Sequence, residues 1–383
     1  MKVFFSKPTI KSKEKEAVLE VLNSGWLTSG PKTIEFEQAL KKYIGCKFVK
    51  VLNSCTSALN LALLSLNLKK TDQVITTPFT FCATVNAIIH AGAKPIFADI
   101  DKDTFNIKPE YIEKKITKKT KAILVMHYGG LPCDMDEILE ISKKYKLAVI
   151  EDAAHALGSQ YHGKKIGSLQ TTSCFSFHAT KTLTTAEGGA IATANKKIFD
   201  FINKAYFHGI DIQSWQRQKN QSWQYKVTYP GFKYNLSDIL AAIGLEQIKE
   251  LDNFIKKREK IASLYTEAFK NNEFISYQKV TPNKKHSYYL YSMLLNLEKL
   301  SIDRNRFIEE LKKRNIHTSV HFIPIYKHPA YKKFFTKNDL KQLKNTEYVY
   351  QRIVSLPIYP LLTKNQINYV ISSINDIIKK YRR

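Results

Sequence analysis

The run Phe175-Ser176-Phe177-His178-Ala179-Thr180-Lys181 leads straight into Thr182-Leu183-Thr184-Thr185-Ala186-Glu187-Gly188-Gly189. An apolar, strand-like segment ends here in a serine, a histidine and a single lysine, and then meets a glycine pair. Most lysines of the chain sit in charge-rich stretches, whereas Lys181 is flanked by small hydroxyl and apolar residues. Withdrawing a lysine amine from water favours its neutral, nucleophilic form. A lone lysine at a strand end ordinarily just carries its charge out to solvent. Lys181 gains meaning from the residues around it in the rest of the chain.

Short β-branched runs recur at Phe48–Leu52, Val74–Thr76, Pro95–Ala98, Ala122–Met126, Ala148–Ile150, Cys174–Phe177 and Ala190–Ala192. Segments of helical periodicity separate most of them: Ser57–Leu66, Ala83–His90, Pro109–Lys114 and Met135–Tyr145. Strands alternating with helices predict an α/β fold whose mainly parallel sheet is covered on both faces. Such sheets bind ligands where the carboxyl ends of their strands open into loops. Ahead of the first strand lie an amphipathic stretch, Lys11–Leu22, the loop Gly25-Trp26-Leu27-Thr28-Ser29-Gly30-Pro31 and a second helix, Ile34–Tyr43. Downstream, a turn-rich segment from Gly209 to Pro230 precedes a long helical pattern, Ser237–Phe269, which serves as the domain joint. Beyond it, Tyr288–Leu297, Ile302–Arg314, His317–Phe322 and Lys364–Tyr381 predict strand, helix, strand and helix. That is a smaller α+β domain of ordinary size.

A chain of 383 residues with 44% hydrophobic and 12% aromatic content is globular and long enough for two or three domains. The formal net charge of +26 raises nucleic acid or an acidic membrane as partners. Its basic pairs are scattered along the whole length, however, and no zinc-finger or RNP signature accompanies them. Neither partner is therefore expected, although the excess charge would help attract an anionic small molecule. Five cysteines without CxxC spacing argue against a disulfide framework or a metal site, and for a reducing cytoplasm. The opening residues lack the apolar core of a signal peptide, and no apolar run reaches membrane-spanning length.

Three further constellations stand out. Asn53-Ser54-Cys55-Thr56-Ser57-Ala58-Leu59 joins a strand to a helix, and hydroxyls with free N–H groups at a helix N-terminus suit a phosphate as well as an ordinary cap. No GxGxxG and no Walker lysine occurs here, so a nucleotide P-loop is not indicated. Val149-Ile150-Glu151-Asp152-Ala153-Ala154-His155-Ala156 ends an apolar strand in two carboxylates, either a helix cap or the partner of a protonated ring nitrogen. Phe81, in Pro78-Phe79-Thr80-Phe81-Cys82-Ala83-Thr84, is a core residue or the cover of a flat ring. Together, a phosphate cradle, a ring-covering aromatic, a strand-end Asp and a nucleophilic Lys describe one ligand, pyridoxal phosphate.

The chain resembles the nucleotide-sugar aminotransferases, pyridoxal-phosphate enzymes of the aspartate-aminotransferase fold (fold type I), over nearly its whole length. The resemblance rests on the Gly25–Pro31 loop, Glu151-Asp152-Ala153-Ala154-His155, the Lys181 stretch, Pro230-Gly231-Phe232-Lys233-Tyr234-Asn235 and Val320-His321-Phe322-Ile323-Pro324-Ile325-Tyr326. Ser176–Lys181 with Ala186–Gly189, and Tyr229–Asp238, are especially similar to UDP-4-amino-4-deoxy-L-arabinose aminotransferases and related UDP-4-keto-sugar enzymes. What this implies is a large cofactor-binding domain over residues 1–250 and a small one over 251–383. It implies transamination of a UDP-linked 4-keto sugar with L-glutamate as donor, or alternatively of a dTDP- or GDP-linked sugar or at the 3-keto position. Lys181 would join the cofactor covalently and move the proton. Asp152 would pair with the pyridinium nitrogen and His155 would lie near the phenolic oxygen. Thr56, Ser57 and Ser176 would hold the phosphate, and Phe81 would stack on the ring. Asn235 would reach the phosphate of a neighbouring subunit, making a homodimer, and Trp26, Thr28, His321 and Tyr326 would lie near the sugar nucleotide. Cys55 replaces a frequent Gly, His155 a frequent Gln, and Phe81 a frequent Trp. Sugar dehydratases of the same fold carry His in place of the lysine, which Lys181 argues against. A basic regulatory protein on this fold would not need Lys181, Asp152 and the phosphate hydroxyls together.

Overall fold

The computed structural model describes residues 1–212 and 214–383; Gln213, within the turn-rich segment, lies outside the described residues. Strands β1 (Phe48–Leu52), β2 (Gln73–Thr76), β3 (Lys94–Phe97), β4 (Thr120–Met126) and β5 (Ala148–Asp152) come first along the chain. A short ribbon of β6 (Gln160–Tyr161) and β7 (Lys164–Lys165) follows, and β8 (Thr172–Ser176) and β9 (Gly189–Thr193) bracket Lys181. The large sheet has the order β1-β9-β8-β5-β4-β2-β3. Pairing is parallel from β8 through β3, and only β9, between β8 and β1, runs antiparallel to its neighbours. Both faces are covered. Along β4, Ile123 and Val125 join one apolar cluster while Ala122 and Leu124 join another on the opposite face. That is the two-residue alternation of a strand buried on both sides, which is why these strands read as continuous apolar runs.

A second core forms around an antiparallel sheet of β10 (Ile275–Tyr277), β12 (Tyr291–Leu295) and β13 (Ile353–Leu356). The short β11 (Lys284–Lys285) instead pairs with β6 of the large unit. The 32-residue helix Asp238–Phe269 links the cores. Its N-terminal part gives Ala241, Leu251 and Ile255 to the first, and its C-terminal part gives Ile261, Ala262, Tyr265 and Phe269 to the second. The N-terminus also belongs to the second core. Val3 is fully buried there, donates its N–H to the Asn315 carbonyl at 2.9 Å and accepts from the His317 N–H at 2.9 Å. The expected strand His317–Phe322 is irregular and keeps only the bridge of Ser319 with Ser355. Beyond that bridge the backbone turns to the large unit, where the Tyr128 hydroxyl donates to the His321 carbonyl in place of a ladder partner.

The start of the long helix also fixes the N-terminal layer. Ser237 caps it, accepting from the Leu240 N–H, and Asp238 turns its carboxylate outward to the helix Pro31–Ile44. That carboxylate accepts from the N–H groups of Gly30 (2.8 Å), Lys32 (3.1 Å) and Thr33 (2.9 Å). A buried acceptor thus satisfies donors a helix cannot pair internally. A Cβ at Gly30 would fall 2.2 Å from the indole nitrogen of Trp26, so only glycine admits this corner. Asp238→Ala should lower the unfolding free energy by about 2 kcal/mol. A urea melt checks this: the midpoint falls while the m-value stays constant.

Candidate active site

At the carboxyl ends of β4, β5 and β8 lies a cavity of about 480 Å³, within the range of small-molecule sites. β5 ends in Glu151 and Asp152, and strand alternation sends these carboxylates to opposite faces of the sheet. Glu151 is fully buried and accepts from Thr171 and from Ser173 Oγ (2.7 Å). It also meets His127 Nε2 at 2.7 Å, and His127 Nδ1 accepts the Cys133 N–H at 3.0 Å, so Nε2 carries the hydrogen. Burial alone would raise the Glu151 carboxyl; His127 and the two hydroxyls outweigh it and hold the carboxyl below its ordinary range. This network is saturated and structural. Asp152 faces the cavity instead. Its Oδ2 accepts from Thr84 Oγ1 at 2.7 Å and its Oδ1 from the Ala154 N–H at 3.1 Å. Burial pushes the Asp152 carboxyl up despite those bonds and the charge of Lys181. A carboxylate in that state favours a cationic partner.

Lys181 is half-buried on the cavity wall, its Nζ 4.2 Å from the centre of the Tyr289 ring. Burial would raise the Tyr289 phenol, but the Lys181 charge and hydrogen bonds to Thr180 and Lys181 outweigh it and lower the phenol below its ordinary value. His155 is buried with its ring 4.2 Å from that of Tyr289, and its Nδ1 accepts the Gly129 N–H at 3.3 Å. Burial first, then the charge of Lys181, pushes His155 well below its ordinary value, so it stands neutral with its hydrogen on Nε2. His321, also on the wall, meets Ser355 Oγ through Nδ1 at 3.0 Å and is lowered to about 4 by burial and by Lys181.

The other end of the cavity is the N-terminus of the helix Cys55–Leu64. Ser54 caps it, accepting the Ser57 N–H at 3.1 Å, and Ser54, Cys55 and Thr56 line the wall with Ser176. A Cβ on Gly189 would lie 2.4 Å from the Ser54 carbonyl carbon and 2.5 Å from the Cys55 nitrogen. The glycine lets β9 pass directly against the turn, whose Ser54, Cys55 and Thr56 line the cavity at the helix start. Phe81, 56% exposed, lines the same cavity.

The structure thus gathers Thr56, Phe81, Asp152, His155, Ser176, Lys181 and His321 around one space. Ser57 stands one layer behind, its hydroxyl donating to Asn53 Oδ1 at 2.6 Å. Tyr326 does not line the cavity; its hydroxyl donates to Glu347 at 2.7 Å. Trp26, Thr28 and Asn235 do not line it either. Trp26 and Asn235 meet at Ser29, whose hydroxyl accepts from Asn235 Nδ2 (2.6 Å) and whose carbonyl accepts from Trp26 Nε1 (3.1 Å), and the neighbouring Thr28 carbonyl accepts the Asp238 N–H at 3.3 Å. Sequence reading missed Thr84 and Tyr289. Thr84 was inside a quoted run, but its contact to Asp152 spans 68 residues. Tyr289 arrives from the second unit, 109 residues beyond its partner Thr180, and one tyrosine among 21 carries no local signal.

The residues fit a planar, phosphorylated cationic ring: a buried carboxylate short of positive charge, an open helix N-terminus, an exposed aromatic and an amine between them. These residues suit the cofactor of a pyridoxal-phosphate enzyme of fold type I, and the chain has that fold. The chain belongs to the DegT/DnrJ/EryC1/StrS aminotransferase family, which it matches over residues 8–375. It is 42% identical over 377 residues to the spore coat polysaccharide biosynthesis protein SpsC of Bacillus subtilis, covering 98% of this chain and 97% of that one. Among solved structures it is similar to Spr1654 of Streptococcus pneumoniae, assigned as a sugar aminotransferase and solved in its PMP form (TM-score 0.92, 31% identity, 99% of both chains). The same protein is also solved in a PLP form. Helicobacter pylori PseC, an aminotransferase involved in the biosynthesis of pseudoaminic acid, matches with TM-score 0.91 and 33% identity over 99% of this chain and 100% of that one. The cofactor of this chain is pyridoxal phosphate.

Gly189→Ala should push the Ser54–Cys55 turn into the cavity and weaken cofactor binding about 10-fold, equivalent to ~1.4 kcal/mol. Absorbance titration of the cofactor-free protein with pyridoxal phosphate measures this, with circular dichroism as the check that the fold is retained.

Proposed function

We propose that this chain transfers the amino group of L-glutamate to the keto carbon of a UDP-linked 4-keto sugar, giving a 4-amino sugar nucleotide for a surface glycan or a lipid A-type modification. The observation that carries this reading is the meeting of the Lys181 amine, the Asp152 carboxylate and an open helix N-terminus in one cavity of a sugar-aminotransferase-like chain. The involvement of SpsC in polysaccharide biosynthesis and of PseC in that of pseudoaminic acid supports a sugar acceptor. The similarity of the Lys181 and Tyr229–Asp238 stretches to UDP-4-keto-sugar enzymes supports the nucleotide and the position.

Bound pyridoxal phosphate supplies the electron sink for bond changes at the carbon that gains or loses nitrogen. The chain supplies the rest. Asp152 would hold the proton on the ring nitrogen, and the pairing offsets the burial that raises its carboxyl. Thr56 and Ser176, with the N–H groups at the helix start, would hold the phosphate, while Ser57 braces Asn53 and Ser54 behind them. Phe81 would cover a ring face, and His155 would offer its Nε2 hydrogen to the phenolic oxygen. Lys181 would anchor the cofactor and then take up and return the proton at the reacting carbon. His321 would meet the sugar nucleotide.

A homodimer would complete the site. Trp223 is 81% exposed, and Tyr225 and Val227 beside it are also exposed, a surface suited to a second copy. If Asn235 reaches the phosphate of the neighbouring subunit, Trp26 and Thr28 travel with it, because Ser29 ties Trp26 and Asn235 together. Tyr326 would take part only after leaving Glu347.

The visible spectrum of the cofactor-loaded protein tests the reading. L-glutamate should abolish the cofactor band and a UDP-4-keto sugar should restore it; bleaching that no UDP sugar reverses would refute the nucleotide or the keto position. Lys181→Ala should reduce turnover by about 10,000-fold or more with the circular dichroism unchanged. Substantial residual transamination in that variant would sink the assignment of Lys181.

A further inference from the structure

Three further side chains of the cavity wall, with no task in the reading above, run from Lys181 to an exposed imidazole. Tyr289, 7% exposed, lies against Lys181, whose Nζ stands 4.2 Å from its ring centre, and its hydroxyl lies 3.2 Å from Thr180 Oγ1. Thr180 Oγ1 in turn lies 3.1 Å from His178 Nδ1. The far end is open: the His178 side chain is 49% exposed and its Nε2 stands 3.9 Å from Glu187 Oε1. The links are held rigidly. The Lys181 N–H donates to the His178 carbonyl at 2.9 Å, which closes residues 178–181 into a turn. On the other side, the buried Arg258 guanidinium donates to the carbonyls of Tyr288 (3.3 Å), Tyr289 (3.4 Å) and Ile358 (2.7 Å), fixing the backbone that carries the phenol.

Among the described residues, Asp152, Cys55, His155 and His321 also share the cavity with Lys181. Each is already engaged: Asp152 by Thr84 and Ala154, Cys55 with the Cys174 carbonyl, His155 with the Gly129 N–H and His321 with Ser355. The line through Tyr289 begins at the contact of Lys181 with the phenol ring, is hydrogen-bonded from Tyr289 to Thr180 and from Thr180 to His178, and ends at an exposed imidazole. Both hydroxyls donate and accept, so it can carry a proton in either direction.

We propose that Tyr289, Thr180 and His178 form a proton relay between the Lys181 amine and solvent. In one concerted shift a charged Lys181 gives an N–H proton to the Tyr289 oxygen, Tyr289 passes its own to Thr180, and Thr180 passes its own to His178 Nδ1. The amine ends neutral, the imidazole carries the charge, and no bond between heavier atoms changes. His178 Nε2 then releases a proton to water, and the reverse sequence reloads the amine. The relay resets Lys181 between half-reactions. It rests on the aminotransferase reading and not on the identity of the donor.

Thr180→Val keeps the bulk and removes the hydroxyl. In the cofactor-loaded enzyme it should slow the washout of deuterium from α-deuterated L-glutamate into water about 100-fold. The glutamate concentration that half-saturates the spectral change should stay constant, and Thr180→Ser should rescue the exchange. A second readout needs no substrate. The ultraviolet difference titration of the full chain against Tyr289→Phe isolates the Tyr289 phenol, which should ionise below the ordinary tyrosine range and move upward in Thr180→Val. Washout as fast in Thr180→Val as in the parent, or a phenol whose titration does not move, overturns the relay. If the parent does not react with L-glutamate, the donor assigned above is wrong and the phenol titration decides the relay alone.

Discussion

The carboxylate of Asp152 is buried at the end of a parallel strand, and its bonded partners are a hydroxyl and a backbone N–H. Burying a charge on such terms is costly unless a cation comes to it. The cavity is arranged around this imbalance. Lys181 stands on the same wall, the nearby imidazoles of His155 and His321 are held neutral, and the helix start at Ser54–Thr56 offers its positive end to an anion. A ring bearing a protonated nitrogen at one end and a phosphate at the other satisfies both ends at once. Glu151, one residue away, shows the contrast. On the opposite face, with His127 and two hydroxyls, it is a finished structural network.

The second unit completes the site by bringing side chains to Lys181 from far along the chain. Tyr289 and His321 both come from it. Their positions depend on polar links: Arg258, on the helix that joins the cores, to the carbonyls of Tyr288 and Tyr289, and Tyr128, from the large unit, to the carbonyl of His321. Arg258 is a buried cation bonded to carbonyls, and burial lowers its guanidinium to about 10, with Tyr289 opposing the shift. Such a group is expensive to keep, and here it sits where the long helix passes from one core to the other. It holds the segment that faces the Lys181 amine.

Much of this was legible in the chain. The β-branched runs placed the strands of the large sheet because residues buried on both faces leave an apolar signature. Asp152, Thr56, Ser176 and Phe81 were legible because each stands where a strand ends or a helix begins, and Lys181 because it lies in the loop that follows β8. Other features were not. Nothing local distinguishes Ser57, which braces the turn from behind, from Thr56, which faces the cavity; one step around the helix separates them. The segment His317–Phe322 has a strand-like composition, but its backbone finds partners outside any ladder. The loop of Trp26 and Thr28 and the Asn235 segment, far apart in sequence, meet at Ser29 in a cluster that does not line the cavity of their own chain.

The sequence by itself determined the sheet, the covering helices and the chemistry of the strand ends, because periodicity and strand-end residue types are local properties. The tertiary structure decided which carboxylate faces the cavity, which hydroxyls reach it and which tyrosine meets the lysine. Those outcomes depend on the face each side chain takes in the pleat. They depend also on contacts spanning 68 residues for Thr84 with Asp152 and 109 for Thr180 with Tyr289, distances over which sequence pattern carries no geometric information.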